Sequence, residues 1–230
     1  MTTSHPASRA VLAPFLAGLA LFVLAPVSGC STASIALKES IGIAKREQLV
    51  ARVQDARDAQ GEAKKQFESA LAEFLAVTGT GQDAKVAEIE ARYKKLKGEQ
   101  ERSQDRAERV RGRIKDTERV ADALFSEWNA ELKQYQSEAM REASRRQLED
   151  TRGQYQKLLG VMKQAEARMA PVLAALNDQV LFLKHNLNAR AIAALQPQAA
   201  AIQTDVAALV REMEASINEA NAFISQMKTE

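Results

Sequence analysis

The chain has 230 residues with 32 basic and 30 acidic side chains, a balance too nearly neutral for charge-driven binding to nucleic acid. Aromatic residues make up only 5% and there is one cysteine, so the composition favours helices over sheet and leaves no internal disulfide. The two histidines, His5 and His185, cannot build a metal site by themselves.

The first 29 residues read as an export signal. Arg9 is their one basic residue, and the segment from Val11 to Val27 is apolar but interrupted by Pro14 and Pro26. At about 17 residues it is short for a membrane span of roughly 20, and the prolines weaken a helix further. The segment closes on Val27-Ser28-Gly29-Cys30: an aliphatic residue, two small residues, then the cysteine. This pattern resembles the bacterial lipobox cut by the lipoprotein signal peptidase. The resemblance implies that Val27, Ser28 and Gly29 are the recognition residues and that Cys30 becomes the lipidated (palmitate-bearing) first residue of the mature chain. Ser31, not an aspartate, follows the cysteine, which resembles the outer-membrane sorting pattern of proteobacterial lipoproteins and implies the periplasmic face of the outer membrane as the expected location. Without Arg9 the mature chain carries 31 basic against 30 acidic residues. The expected division is a signal peptide over 1–29, the lipidated cysteine and tether over 30–40, and a helical domain over 41–230. The covalent lipid on Cys30 is the only prosthetic group expected.

From Leu49 the apolar positions alternate spacings of four and three, the mark of a heptad seam. The first seam is Leu49, Val53, Ala56, Gln60, Ala63, Phe67, Ala70, Phe74 and Val77. The run from Thr78 to Asp83 breaks it, and Asp83 is placed to cap the next helix. The second seam runs from Val86 through Ile89, Tyr93, Leu96, Gln100, Ser103, Ala107, Val110, Ile114, Thr117, Ala121 and Leu124 to Trp128. Glu88 with Arg92, Glu90 with Lys94 and Asp105 with Arg109 are spaced for ion pairs along its outer face. A weaker break falls at Tyr135-Gln136-Ser137, with Ser137 and Glu138 suited to start a third helix. The third seam runs from Leu148 to Leu187, and Pro171 kinks it without ending it. Val180-Leu181-Phe182-Leu183 is apolar all round and is expected to be its most buried part. The fourth seam runs from Ile192 to Met227, and Pro197 suggests a main helix starting near it.

Folding the first two helices back on each other places Phe74 against Ile89, Phe67 against Leu96 and Gln60 against Ser103. Large residues then meet small ones, and polar meets polar. The last two helices match similarly, with Leu183 opposite Ile192 and Leu158 opposite Ile217. The fold class is therefore all-α: an elongated antiparallel bundle or coiled coil of four long helices in two hairpins. If the second and third helices also pair antiparallel, both tight loops lie at one end. The chain termini then lie at the other, where the turn near Ser137 projects past them.

Several segments carry a family resemblance: Ile41 to Arg46, Asp55 to Gln60, Phe125-Ser126-Glu127-Trp128, Pro171-Val172-Leu173, and Asp178 to Ala189 with its Lys184-His185-Asn186-Leu187-Asn188. Together they resemble the bacterial family catalogued as domain of unknown function 2959, over about residues 40 to 225. The resemblance implies an exported helical protein, often lipidated, and brings no activity with it.

Candidate sites are few. His185 reads as a histidine facing the negative end of the helix dipole. The Gly79-to-Lys85 loop lacks the spacing and the preceding strand of a phosphate loop. Trp128 and Tyr135, with Arg141, Arg145 and Arg146 across the turn, form a candidate contact with lipid headgroups or an envelope partner. The expected function is that of a non-enzymatic, membrane-tethered envelope lipoprotein acting as scaffold or spacer for an unidentified envelope protein, with homodimerisation possible and nucleic acid excluded. A membrane-binding or membrane-shaping helical module is the alternative, and an envelope enzyme ranks third.

Overall fold

The computed structural model describes residues 45–80 and 85–229. The signal segment, the lipobox, the tether and Asp83 lie outside the described residues. Four long helices follow in order: α1 (Lys45–Thr78), α2 (Val86–Glu131), α3 (Glu138–His185) and α4 (Ala189–Thr229). A single 3-10 turn (Leu132–Gln134) follows α2. No strand occurs among the described residues. At about 1.5 Å per residue, the 46-residue α2 and 48-residue α3 each run about 70 Å.

The breaks have local causes. Ser137 caps α3, its hydroxyl accepting from the Met140 amide at 3.4 Å. Pro171 lies inside the unbroken α3, because packing of Met169, Val172 and Leu176 continues on both sides of it. Pro197 behaves the same way, which corrects the expected helix start. α4 begins eight residues earlier, where the Asn188 side chain accepts from the Ala191 amide at 3.0 Å. Ala191, Ile192 and Leu195 are all buried, so core contact outweighs the one backbone hydrogen bond that Pro197 cannot donate.

All nine members of the first seam, from Leu49 to Val77, are fully buried. The other three seams line the same core, and one contiguous cluster joins residues of all four helices. Each helix packs against two others: α1 against α2 and α4, and α3 against α2 and α4. Long-armed pairs give every neighbour an antiparallel sense. Lys45 reaches Glu127 at 2.8 Å and Gln66 reaches Glu99 between α1 and α2. Arg111 meets Glu166 at 2.8 Å between α2 and α3, and Lys157 meets Glu219 at 2.8 Å between α3 and α4. Arg46 donates twice to the Met227 carbonyl and Lys64 holds Glu214 at 2.8 Å between α1 and α4. These surface pairs add little energy each, and their value is in register. The result is an up-down-up-down bundle.

Two features of the expected packing change. The Thr117 hydroxyl bonds the Arg52 carbonyl at 3.2 Å, a contact displaced along α1 from where the Phe74–Ile89 pairing would lead if continued. The apolar run near the end of α3 is not wholly buried either. Val180 and Leu183 face the core, but Leu181 is 51% exposed and Phe182 40% exposed. Four consecutive helical residues sweep all sides of the axis, so two of them must face away from any one-sided core. On the outer face of α2, Glu88–Arg92 and Glu90–Lys94 form as spaced, while Arg109 turns instead toward Glu62 of α1.

Candidate functional site

Among the described residues, three regions set polar side chains beside aromatic or buried ones. The first is the α2–α3 tip, which extends beyond the level of Lys45, where α1 begins. Trp128 is half-buried, and its indole Nε1 donates to the Ser144 hydroxyl at 2.9 Å across the turn. Its apolar body packs on the core, so it braces the hairpin. Tyr135 is 38% and Met140 59% exposed on the tip. Arg141 pairs with Glu138 one turn earlier. Arg145 is clasped by Glu142 at 2.6 Å and Glu149 at 2.8 Å. The Arg145 hydrogen bond, ahead of the charges of Arg146 and Arg141, holds the Glu142 carboxyl below its ordinary range. Over residues 128–149 the four bases Lys133, Arg141, Arg145 and Arg146 meet four acids, Glu131, Glu138, Glu142 and Glu149. The tip therefore brings the five sequence-predicted contact residues together, but without net charge.

The second region is inside the bundle. The Ser216 hydroxyl of α4 donates to Gln60 Oε1 of α1 at 2.8 Å, both residues being fully buried. Gln60 Nε2 has no partner among the described residues. The sequence pairing set Gln60 against Ser103, whose hydroxyl instead returns to the Glu99 carbonyl of its own helix at 2.8 Å. The fourth seam keeps to the core from Ile192 to Met227 except at Ile217, which is only half-buried while its neighbour Ser216 is fully buried; Phe223 is buried beside the seam member Ile224. Ser216→Ala is expected to cost about 1 to 2 kcal/mol, because both ends of a buried amide then lack partners. Gln60→Met combined with Ser216→Ala should recover most of that loss, read as the urea midpoint. A double variant no more stable than Ser216→Ala alone would refute this account of the layer.

The third region is a surface groove of about 580 Å³ between α2 and α3, lined by Asp122, Phe125, Ser126, Asn129, Arg152 and Tyr155 among others. The Phe125 and Tyr155 rings stand 5.6 Å apart and Tyr155 continues to Phe223 at 6.4 Å. The Arg152 guanidinium lies 5.1 Å over the Phe125 ring. Burial first, then the negative charges of Glu118 and Asp122, pushes the Tyr155 phenol well above its ordinary value, so it stays protonated. Sequence reasoning missed this groove because Phe125 and Arg152 lie off the seams. His185, the one histidine among the described residues, is exposed in the last turn of α3, at the opposite end of the bundle. Among the described residues no group of three or more His, Cys, Asp or Glu side chains is arranged to hold a metal ion. None of the described helices is long and apolar enough to cross a membrane.

A long, antiparallel four-helix bundle with an interior given over to packing and a few polar layers defines the class of protein. The chain belongs to the family described as Protein of unknown function (DUF2959), whose sequence model matches residues 35–227. No curated protein and no solved structure matches it.

Proposed function

We propose that this chain is a non-enzymatic bacterial envelope lipoprotein: a rigid helical spacer held to the periplasmic face of the outer membrane by lipid on Cys30. Val27-Ser28-Gly29-Cys30 after a short apolar run carries this reading, and the placement of the helix ends supports it. α1 starts and α4 finishes at one end of the bundle, where Arg46 grips the Met227 carbonyl. Lys45 is only 15 residues beyond Cys30, so a lipid there would hold this end near the membrane. The loops after α1 and α3 would then face away, about 50 Å further out along the 34-residue α1. One acyl chain alone binds marginally, and a multiply acylated cysteine would hold the spacer stably.

A membrane- or partner-contacting module is the second reading, favoured by the exposed Tyr135 and Met140 beside Trp128 at the anchored end. The balanced charge around Arg141, Arg145 and Arg146 suits a protein partner better than anionic headgroups. Intact mass and membrane fractionation of wild type and Cys30→Ala test the anchor. The expected wild-type result is a chain beginning at Cys30 with added lipid mass in the outer-membrane fraction, lost in the variant. An uncleaved wild-type chain without lipid would remove the basis of this function.

A further inference from the structure

The five large exposed apolar side chains among the described residues are Val86, Tyr135, Met140, Leu181 and Phe182. All five lie at the two ends of the bundle and none along its flanks. Tyr135 and Met140 occupy the charge-neutral tip near the α1 start. Leu181 and Phe182 lie one turn before the end of α3, and Val86 opens α2 at that same distal end. The Gln196 side chain, donating to the Thr78 carbonyl, ties the α3–α4 corner to the end of α1.

The distal corner also differs in charge. From Gln179 to Thr204 there is no acidic residue, although the whole chain has 30 in 230, about one in eight. The same stretch contains Lys184, His185 and Arg190, all exposed. Lys184 and Arg190 form no ion pair among the described residues, whereas Arg141 and Arg145 at the other tip are clasped by glutamates. An exposed Leu-Phe pair next to unneutralised bases has the make-up of a membrane-interfacial surface, apolar groups entering the headgroup boundary while cations meet anionic lipid.

We infer that the α3–α4 corner, through Leu181, Phe182, Lys184 and Arg190, docks on an anionic phospholipid surface, so that the bundle bridges two membranes. The bridging half rests on the Cys30 anchor proposed above, and the docking half does not. Anionic lipid is the occupant favoured by the charge, because a second copy would set the unpaired Lys184 and Arg190 against their own like charges, while the acids nearby on α2, Glu88 and Glu90, are already paired with Arg92 and Lys94.

Lipidated full-length protein is reconstituted in neutral phosphatidylcholine vesicles and retention is checked by flotation. Protein-free acceptor vesicles are then added, either phosphatidylcholine alone or with phosphatidylglycerol. Wild type should gather anionic acceptors and leave neutral ones. Lys184→Gln with Arg190→Gln should weaken capture by about 30-fold, as expected for two basic residues lost from an anionic surface. Leu181→Ser with Phe182→Ser should also lose capture while helix content by circular dichroism is unchanged. Arg141→Glu with Arg145→Glu and Arg146→Glu should leave capture intact. Retained protein that fails to capture anionic acceptors, or equal capture of neutral ones, overturns the inference. Clustering of the donor vesicles alone points to a second copy instead and also overturns it. Protein that leaves the donor vesicles refutes the anchor. Docking is then judged by direct flotation of wild type and the Gln variant with anionic vesicles, and equal binding overturns it.

Discussion

Phe67→Ala is expected to lower the stability of the bundle by about 3 to 5 kcal/mol. Phe67 has no exposed surface, and its neighbours along the seam are Ala63 and Ala70, also fully buried. Alternation of phenylalanine and alanine lets each ring fill space that the small residues leave, so no adjacent side chain on α1 can swing in to close the void. Leu96 of the neighbouring α2 is also fully buried in the same core. The loss therefore combines the transfer term with a cavity that relaxes poorly. Urea unfolding followed by far-ultraviolet circular dichroism measures it. Phe67→Leu, which keeps most of the volume, should cost only about 1 kcal/mol. A loss below 1 kcal/mol for the alanine variant would mean that this layer is loosely packed.

The opposite sign is expected for Gly112→Ala, Gly153→Ala and Gly160→Ala combined, a gain of about 1.5 to 3 kcal/mol. Each glycine lies in a helix interior on an exposed face, and a Cβ built there meets nothing within 4 Å. Alanine removes backbone freedom from the unfolded chain and adds no clash, which contributes roughly 0.5 to 1 kcal/mol per site. The three sites are surface positions without a shared partner, so their effects should nearly add. Gly79 is the control. Its Cβ would come within 3.2 Å of the Leu75 carbonyl just past the end of α1, and Gly79→Ala should give no gain. A triple variant with an unchanged melting temperature would show that the helices are not limited by local backbone entropy.

The candidate surfaces were only partly legible. Trp128, Tyr135, Arg141, Arg145 and Arg146 do gather at one turn, because short separation along the chain forces them together. The pairing of Arg141 with Glu138 and of Arg145 with Glu142 and Glu149 follows from spacings of three and four, and was readable in principle. The exposure of Leu181 and Phe182 was readable in principle too, since the seam takes Val180 and Leu183 and the helical turn points the two residues between them away from it. Cys30 and the residues before it are outside the described structure, so the lipobox rests on its own four residues.

Local sequence was enough for four helices, for the breaks after Thr78, before Ser137 and after His185, and, apart from the Ser216–Ile217 position of α4, for the face each helix buries. Those properties depend on the 3.6-residue turn and on residues a few positions apart. It was enough also for membership of the family, whose matched region contains every described helix except the last two residues of α4. Only the tertiary structure decided the register and the partners: Thr117 on Arg52, Gln60 on Ser216, and α4 starting at Ala189 in spite of Pro197. A seven-residue repeat looks nearly the same after a shift of one repeat, so each pair of seams admits several alignments. Four helices closing around one core must satisfy every neighbour at once, and that joint condition is absent from any single helix.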